Sequence, residues 1–202
     1  MTTVLTRPRR ADVKARILAA AAATFLEHGY AETKVSDIAE SAGFTKGAVY
    51  SNFGSKPELF SAVFAERSAS ITGIALAESG LLDATPAAQA VASIAASLTQ
   101  QVTDGSRWPT ALAEFRALAV RDEAVREVYA QLRLTQRHQL EDQLRARAGS
   151  LGLPTTFDYT VAANLLLTVA NSLATEHAAA PAATPPALIE ASLAHLVRSL
   201  LP

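Results

Sequence analysis

The stretch Thr33–Phe53, TKVSDIAESAGFTKGAVYSNF, constrains this chain more than any other. Val35, Ile38, Ala39 and Ala42 recur at helical spacing and give a first short helix one apolar face. Thr33 precedes that run and is placed to cap it, its hydroxyl accepting from a first-turn N–H. Gly43 follows Ala42, and glycine adopts the left-handed conformation that ends a helix without a Cβ penalty. Phe44 then tucks inward, and Thr45 is placed to cap a second helix running from Lys46 to about Asn52. Val49 and Phe53, four apart, face the core, which leaves Lys46, Tyr50 and Ser51 outside. The second helix opens with Gly47 and Ala48, whose small size lets a helix backbone approach a DNA major groove. Two short helices around a tight turn, the second bare at its start, read as a helix-turn-helix with its recognition helix second.

The flanks extend this unit. Residues 1–10 are polar and basic with Pro8, and read as a flexible arm. Residues 11–28 place Val13, Ile17, Ala20, Ala21, Thr24, Phe25 and His28 on or near one helical stripe, with Gly29 as its end. Ser55 is a cap for a following helix in which an early Pro57 is tolerated, because its missing N–H would be unpaired anyway. Leu59, Phe60, Val63, Phe64, Ile71 and Ile74 make the buried side of that helix, to about residue 79. Charge is asymmetric along the chain. The first 56 residues hold eight basic and five acidic groups, a net +3, and the remainder holds ten and fourteen, a net −4. A basic end on an acidic body fits a phosphate footprint at one end only.

Those motifs resemble the DNA-binding domain of TetR/AcrR-family transcriptional regulators over residues 13–64. The matching pieces are Ile17-Leu18-Ala19-Ala20, Phe25, Gly29-Tyr30, Thr33, Val35, Asp37-Ile38-Ala39, Ala42-Gly43, Lys46-Gly47 and Val49-Tyr50, closed by Phe53-Gly54-Ser55-Lys56-Pro57-Glu58-Leu59-Phe60. The resemblance implies an all-α fold of about nine helices. Residues 11–55 would form the three-helix DNA-binding domain and residues 56–202 a helical ligand-binding and dimerisation domain. It implies DNA contacts from Thr45, Lys46, Gly47, Ala48 and Tyr50 on the recognition helix, and phosphate contacts from Thr33 and Lys56 at helix N-termini, where free N–H groups and the dipole favour anions. Lys34 adds an exposed charge. Ser51 stands where the family often has a phosphate-contacting His, and is shorter. Arg7, Arg9 and Arg10 are either a minor-groove arm or a solvated tail. Lys46 is the candidate for direct base reading, as a donor to guanine. The function implied is a ligand-responsive regulator, most often a repressor, that binds a palindromic operator as a homodimer and is released by a largely apolar small molecule. An activator, or a helix-turn-helix protein working through a partner protein, is the alternative.

Composition fits such a chain. Half of the 202 residues are apolar, with 9 Gly and 9 Pro, which favours helices. There is no cysteine, so no disulfide framework. The N-terminal residues lack a signal-peptide pattern, and no segment reaches the roughly 18 apolar residues of a membrane span, so a cytoplasmic protein is expected. Beyond residue 80 the reading rests on helical periodicity: helices over about 87–103, 107–119, 122–148, 156–178 and 185–201, with breaks at Asp104-Gly105-Ser106 and Gly149–Pro154. The charges between Arg121 and Arg147 alternate in sign and read as a solvated face. The last two helices are so apolar that a dimer interface is expected of them.

An effector site would lie within the body. Trp108, Leu112, Phe115, Tyr129 and Leu132 are candidate walls, although Trp108 and Phe115 equally suit a core. Gln136, Asn164, Thr168 and Asn171 are candidate polar contacts. Asn164, Thr168, Asn171 and Thr175 share one helical stripe, which faces a pocket, a dimer partner or solvent. The four histidines lack metal-ligand spacing, and there is no phosphate loop or nucleophile elbow, so neither catalysis nor a metal or other cofactor is expected.

Overall fold

Among the described residues apolar periodicity is realised as helix. The computed structural model describes residues 9–77, 95–150 and 158–200, and among these there are nine helical segments and no strand. They are α1 (Arg10–Glu32), α2 (Val35–Ala42), α3 (Lys46–Phe53), α4 (Lys56–Ala77), α5 (helical over residues 95–102), α6 (Trp108–Ala119), α7 (Glu123–Ser150), α8 (Tyr159–Ala179) and α9 (Pro186–Leu200). The expected all-α architecture is therefore the one adopted. Arg7, the loop between Gly80 and Pro86, the start of the helix expected over 87–103, the side chains of Ile71 and Ile74, and residues 151–154 lie outside the described residues. Arg10, expected in the arm, is the first residue of α1. No described helix is long and apolar enough to cross a membrane.

The helix-turn-helix core is built from Ile17, Ala21 and Phe25 of α1, Val35, Ile38, Ala39 and Ala42 of α2, and Val49 and Phe53 of α3. That core does not stop at the reading head. It runs on without a break through Leu59, Phe60, Val63 and Phe64 of α4, Trp108, Leu112 and Phe115 of α6, and Val125 and Leu132 of α7. Phe60 is its hub, with ring centroids 5.0 Å from Phe25, 5.0 Å from Tyr30, 4.7 Å from Phe115 and 6.2 Å from Trp108. These offset and edge-on contacts are the favourable aromatic geometries. Trp108, Leu112 and Phe115 thus help hold the head on the body. Leu132 belongs to the same core, and Tyr129 leans half-buried on Phe115 at 6.0 Å. Burial in this core pushes the Tyr30 hydroxyl up to about 12, with the Asp122 charge adding to the shift.

A second apolar centre joins Ala95 and Val102 of α5 to Ala174 of α8 and Ile189 and Leu193 of α9. Beside it, Leu166 and Val197 pack with Leu140 and Leu144 of α7. The buried stripe of α8 is Tyr159, Ala162, Ala163, Leu166 and Ala174. Small residues of that stripe pack inside the chain, Ala162 and Ala163 being 1% and 0% exposed. Helical geometry then turns Asn164 and Thr168 to the outer face with Val161 and Leu165, while Asn171 is half-buried at its edge. Asn164 and Thr168 therefore do not line an interior pocket of this chain.

The head is also clamped by polar contacts where α1 breaks. Gly29 sits at φ 74 and ψ −177, so regular α1 ends there as expected, but one further turn follows to Glu32. The break leaves backbone groups without helical partners, and α6 supplies them. Arg107 Nη1 donates to the Glu27 carbonyl at 2.6 Å, and Glu114 Oε2 accepts the Ala31 N–H at 2.9 Å. A Cβ on Gly29 would lie 2.8 Å from both Glu114 carboxylate oxygens. Gly29→Ala is expected to lose about 1–3 kcal/mol through backbone strain, and to displace Glu114. Urea unfolding checks the first effect, and hydrogen exchange at Ala31 checks the second.

Candidate nucleic-acid interface

The reading unit is held by short-range signals. Gly43 takes φ 70 and ψ 35 after α2, its N–H donates to the Glu40 carbonyl at 2.9 Å, and the Phe44 N–H reaches back to Ala39 at 2.8 Å. That double bond pattern closes a helix on a left-handed glycine. Arg16 of α1 braces the same turn: its Nη2 donates to the Ala42 carbonyl at 2.9 Å, and its guanidinium lies 4.8 Å over the Phe44 ring. Thr45 then caps α3 as expected, its hydroxyl oxygen accepting the Ala48 N–H at 3.2 Å. Thr45→Ala is expected to cost about 1 kcal/mol in urea unfolding, the usual value of such a cap.

Along α3, Val49 and Phe53 are buried, while Thr45, Lys46, Gly47, Tyr50 and Ser51 are exposed and Ala48 is half-buried. Lys34 is likewise exposed, at the N-cap of α2. Lys46 Nζ lies 5.7 Å over the Tyr50 ring, so the cation and the aromatic form one exposed pair. Ser51 Oγ and Asn52 Nδ2 both donate to the Ala48 carbonyl, at 3.0 and 2.8 Å. Asn52 thereby stiffens the recognition helix, and Ser51 is bent back onto its own backbone.

Two of the expected phosphate contacts are placed differently. Thr33 does not cap α2, whose N-cap is Lys34 without a side-chain cap bond. Its hydroxyl instead donates to the Gly29 carbonyl at 2.6 Å, with the Thr24 carbonyl 3.3 Å away, and the residue is 2% exposed. The break in α1 presents an unpaired carbonyl, and a buried hydroxyl nearby takes it. Lys56 likewise turns inward. Its Nζ donates to the Ala31 carbonyl at 3.1 Å and lies 4.6 Å over the Tyr30 ring. Burial pulls its pKa down, against the carboxylates of Glu32 and Glu114. At the start of α4 the cap is Ser55, which accepts the Glu58 N–H at 3.2 Å and donates to Glu58 Oε2 at 2.8 Å.

Sequence reasoning missed Arg16, Asn52 and Lys14. Lys14 Nζ lies 5.4 Å over the Phe53 ring, which sets an exposed α1 cation beside the recognition helix. A basic residue on the turn of α1 next to Ile17 was the available signal for Arg16. Among the described residues no cluster of His, Cys, Asp and Glu side chains could hold a metal ion.

An all-helical chain with a capped, side-chain-poor second helix presented outward defines a helix-turn-helix protein. Residues 17–63 match the model of the bacterial regulatory proteins of the tetR family. The HTH-type transcriptional regulator TtgR of Pseudomonas putida is 41% identical over 58 residues, which is 29% of this chain and 28% of that protein. The match to this relative thus covers little more than its reading head. Over nearly the whole chain the fold is that of solved family members. A Rhodococcus sp. protein assigned to the TetR family superposes with a TM-score of 0.70 at 19% identity, covering 95% of this chain and 100% of that one. FadR from Bacillus subtilis, in complex with stearoyl-CoA, gives 0.60 at 19% identity, covering 93% and 99%. Residues 17–63 of this chain are thus a DNA-binding head of the tetR-family kind, and over the rest of the chain the likeness is one of fold.

Proposed function

We propose that the protein is a ligand-responsive transcriptional repressor that binds a palindromic operator as a homodimer and leaves it when a small molecule occupies the body. The observation that carries this reading is the exposed Lys46–Tyr50 pair on a helix capped by Thr45 and braced by Asn52. Exposed groups of this kind, a cation and a hydroxyl, suit phosphates and base edges.

Dimerisation is supported by the outer faces of the last two helices. Val161 and Leu165 of α8 and Leu188 of α9 are 50%, 37% and 50% exposed in the single chain. Asn164 and Thr168 lie on the same face, where they would hydrogen-bond across a twofold axis. Paired heads explain how two eight-residue helices per head acquire useful affinity, because both half-sites are bound together. A small-molecule effector is supported by the FadR–stearoyl-CoA neighbour, a protein of the same fold with a ligand bound. Effector and operator then weaken each other by the same factor.

Selection of genomic fragments by the purified protein, followed by sequencing, tests the reading. Enrichment of a palindrome is the expected result. A protein that enriches no fragment is not an operator reader, and its helix-turn-helix serves a partner protein instead.

A further inference from the structure

One turn of α7 interrupts the apolar interior. Leu132 belongs to the core shared with the head, and Leu140 and Leu144 belong to the cluster around Leu166 and Val197. The turn between them carries Arg133 and Arg137. Alternating charge placed both on a solvated face, but both are half-buried, and Arg133 Nη1 and Arg137 Nε are buried with no hydrogen-bond partner. A guanidinium keeps its charge and its five donors, so leaving its N–H groups unmatched inside a protein is costly.

Acidic groups on and beside α6 and α7 have other engagements. Glu114 accepts from the Ala31 N–H, Asp122 accepts from the Val125 N–H, and Glu141 accepts from Arg145 and Thr160. Arg133 is affected first by its burial and then by neighbours of both signs. Burial pulls its pKa down, Tyr129 opposes the shift, and the charges of Arg116 on α6 and of Arg137 add to the lowering. Three arginines gather here in a body that is net acidic. Such an arrangement lacks an anion, and the planar guanidinium fork is the side chain best matched to carboxylate or phosphate oxygens. Half-buried apolar side chains lie on either side, Tyr129 toward the head and Leu140 away from it.

We propose that Arg133 and Arg137 form the recognition site for the oxyanion group of the effector, which is therefore an anionic amphiphile, a carboxylate or a phosphate ester with an apolar remainder. This refines the ligand-responsive reading and rests on it, adding a charged headgroup to the largely apolar effector expected from the resemblance. Natural proteins keep uncompensated charges of this kind where function needs them, at a cost in stability.

Calorimetric titration of the full chain with octanoate, octyl phosphate and 1-octanol tests the site. At least one of the two anions is expected to bind about tenfold or more tightly than the alcohol. Whichever anion wins identifies the headgroup. Arg133→Met and Arg137→Met are each expected to weaken that anion about tenfold and to leave the alcohol unchanged. Failure of both anions to bind, equal binding of the alcohol, or anion binding unchanged in both variants overturns the site. The unliganded Arg133→Met protein is expected to melt at or above the wild type, since an unpaired buried charge has been removed. A melting temperature lowered by several degrees would mark Arg133 as a structural support and overturn the proposal. Operator affinity measured with and without the bound anion separates the two readings. Anion binding that leaves the operator affinity unmoved keeps the site and removes its effector role. A protein that binds no operator at all fails as a regulator, while the titrations still judge the anion site.

Discussion

The double substitution Lys46→Ala, Tyr50→Ala is expected to abolish operator recognition and leave the fold intact. Each group contributes about 1–3 kcal/mol as a base or phosphate contact, and a symmetric dimer loses each contact twice. A fall in affinity of about a hundredfold or more follows from even the lower end of that range. The stability cost is small, because both side chains are exposed and their mutual cation–π contact is worth about 0.5–1 kcal/mol at an exposed site. Thr45, Asn52, Val49 and Phe53 hold α3 without them. Fluorescence anisotropy with a labelled operator measures the loss, and thermal unfolding by circular dichroism shows that the helices remain. An affinity within a few-fold of the wild type would move base reading to other residues.

Phe60→Ala is expected to destabilise the protein by about 3–5 kcal/mol, the range for removing a fully buried phenylalanine. Phe60 is 0% exposed, and its ring touches aromatic rings of α1, α4 and α6. The vacated space is bounded by rings that cannot collapse into it without leaving their own contacts. The chain's single tryptophan, Trp108, is 6.2 Å from Phe60, so its fluorescence reports both unfolding in urea and loosening around the hub. A loss below about 1.5 kcal/mol would show that the cluster repacks, and that head and body are less rigidly joined than this core implies.

The head was legible because its signals are local. Gly43 needs only its own positive φ, Thr45 only a helix three residues long, and the apolar spacing of Val35, Ile38 and Ala42 only one face to bury. The roles that sequence reasoning misassigned depend on partners far along the chain. Thr33 was read as a cap because a capping hydroxyl and a buried hydroxyl look alike until the broken carbonyl of Gly29 is in view. Lys56 looked like a free cation until the Ala31 carbonyl, 25 residues earlier, came within 3.1 Å. Glu114 and Ala31 are 83 residues apart, and nothing in either segment announces the other. The stripe of Asn164 and Thr168 was visible as a stripe, but its direction was set by which face of α8 the alanines buried. For Arg133 and Arg137, an alternating charge pattern suggested solvent, whereas the packing of α7 against α4, α6 and α8 enclosed part of both side chains.

The central claim is that the exposed face of α3 and its basic surroundings bind DNA. The most direct test is the dependence of affinity for the selected operator on salt, measured by anisotropy between 50 and 200 mM. A reader that neutralises several phosphates loses affinity linearly on a logarithmic plot, by about a thousandfold or more over such a range. That steep slope is the result expected here, and it should become shallower in Lys46→Ala. Affinity that barely changes with salt would contradict the claim, because no phosphate contacts would then be releasing counterions.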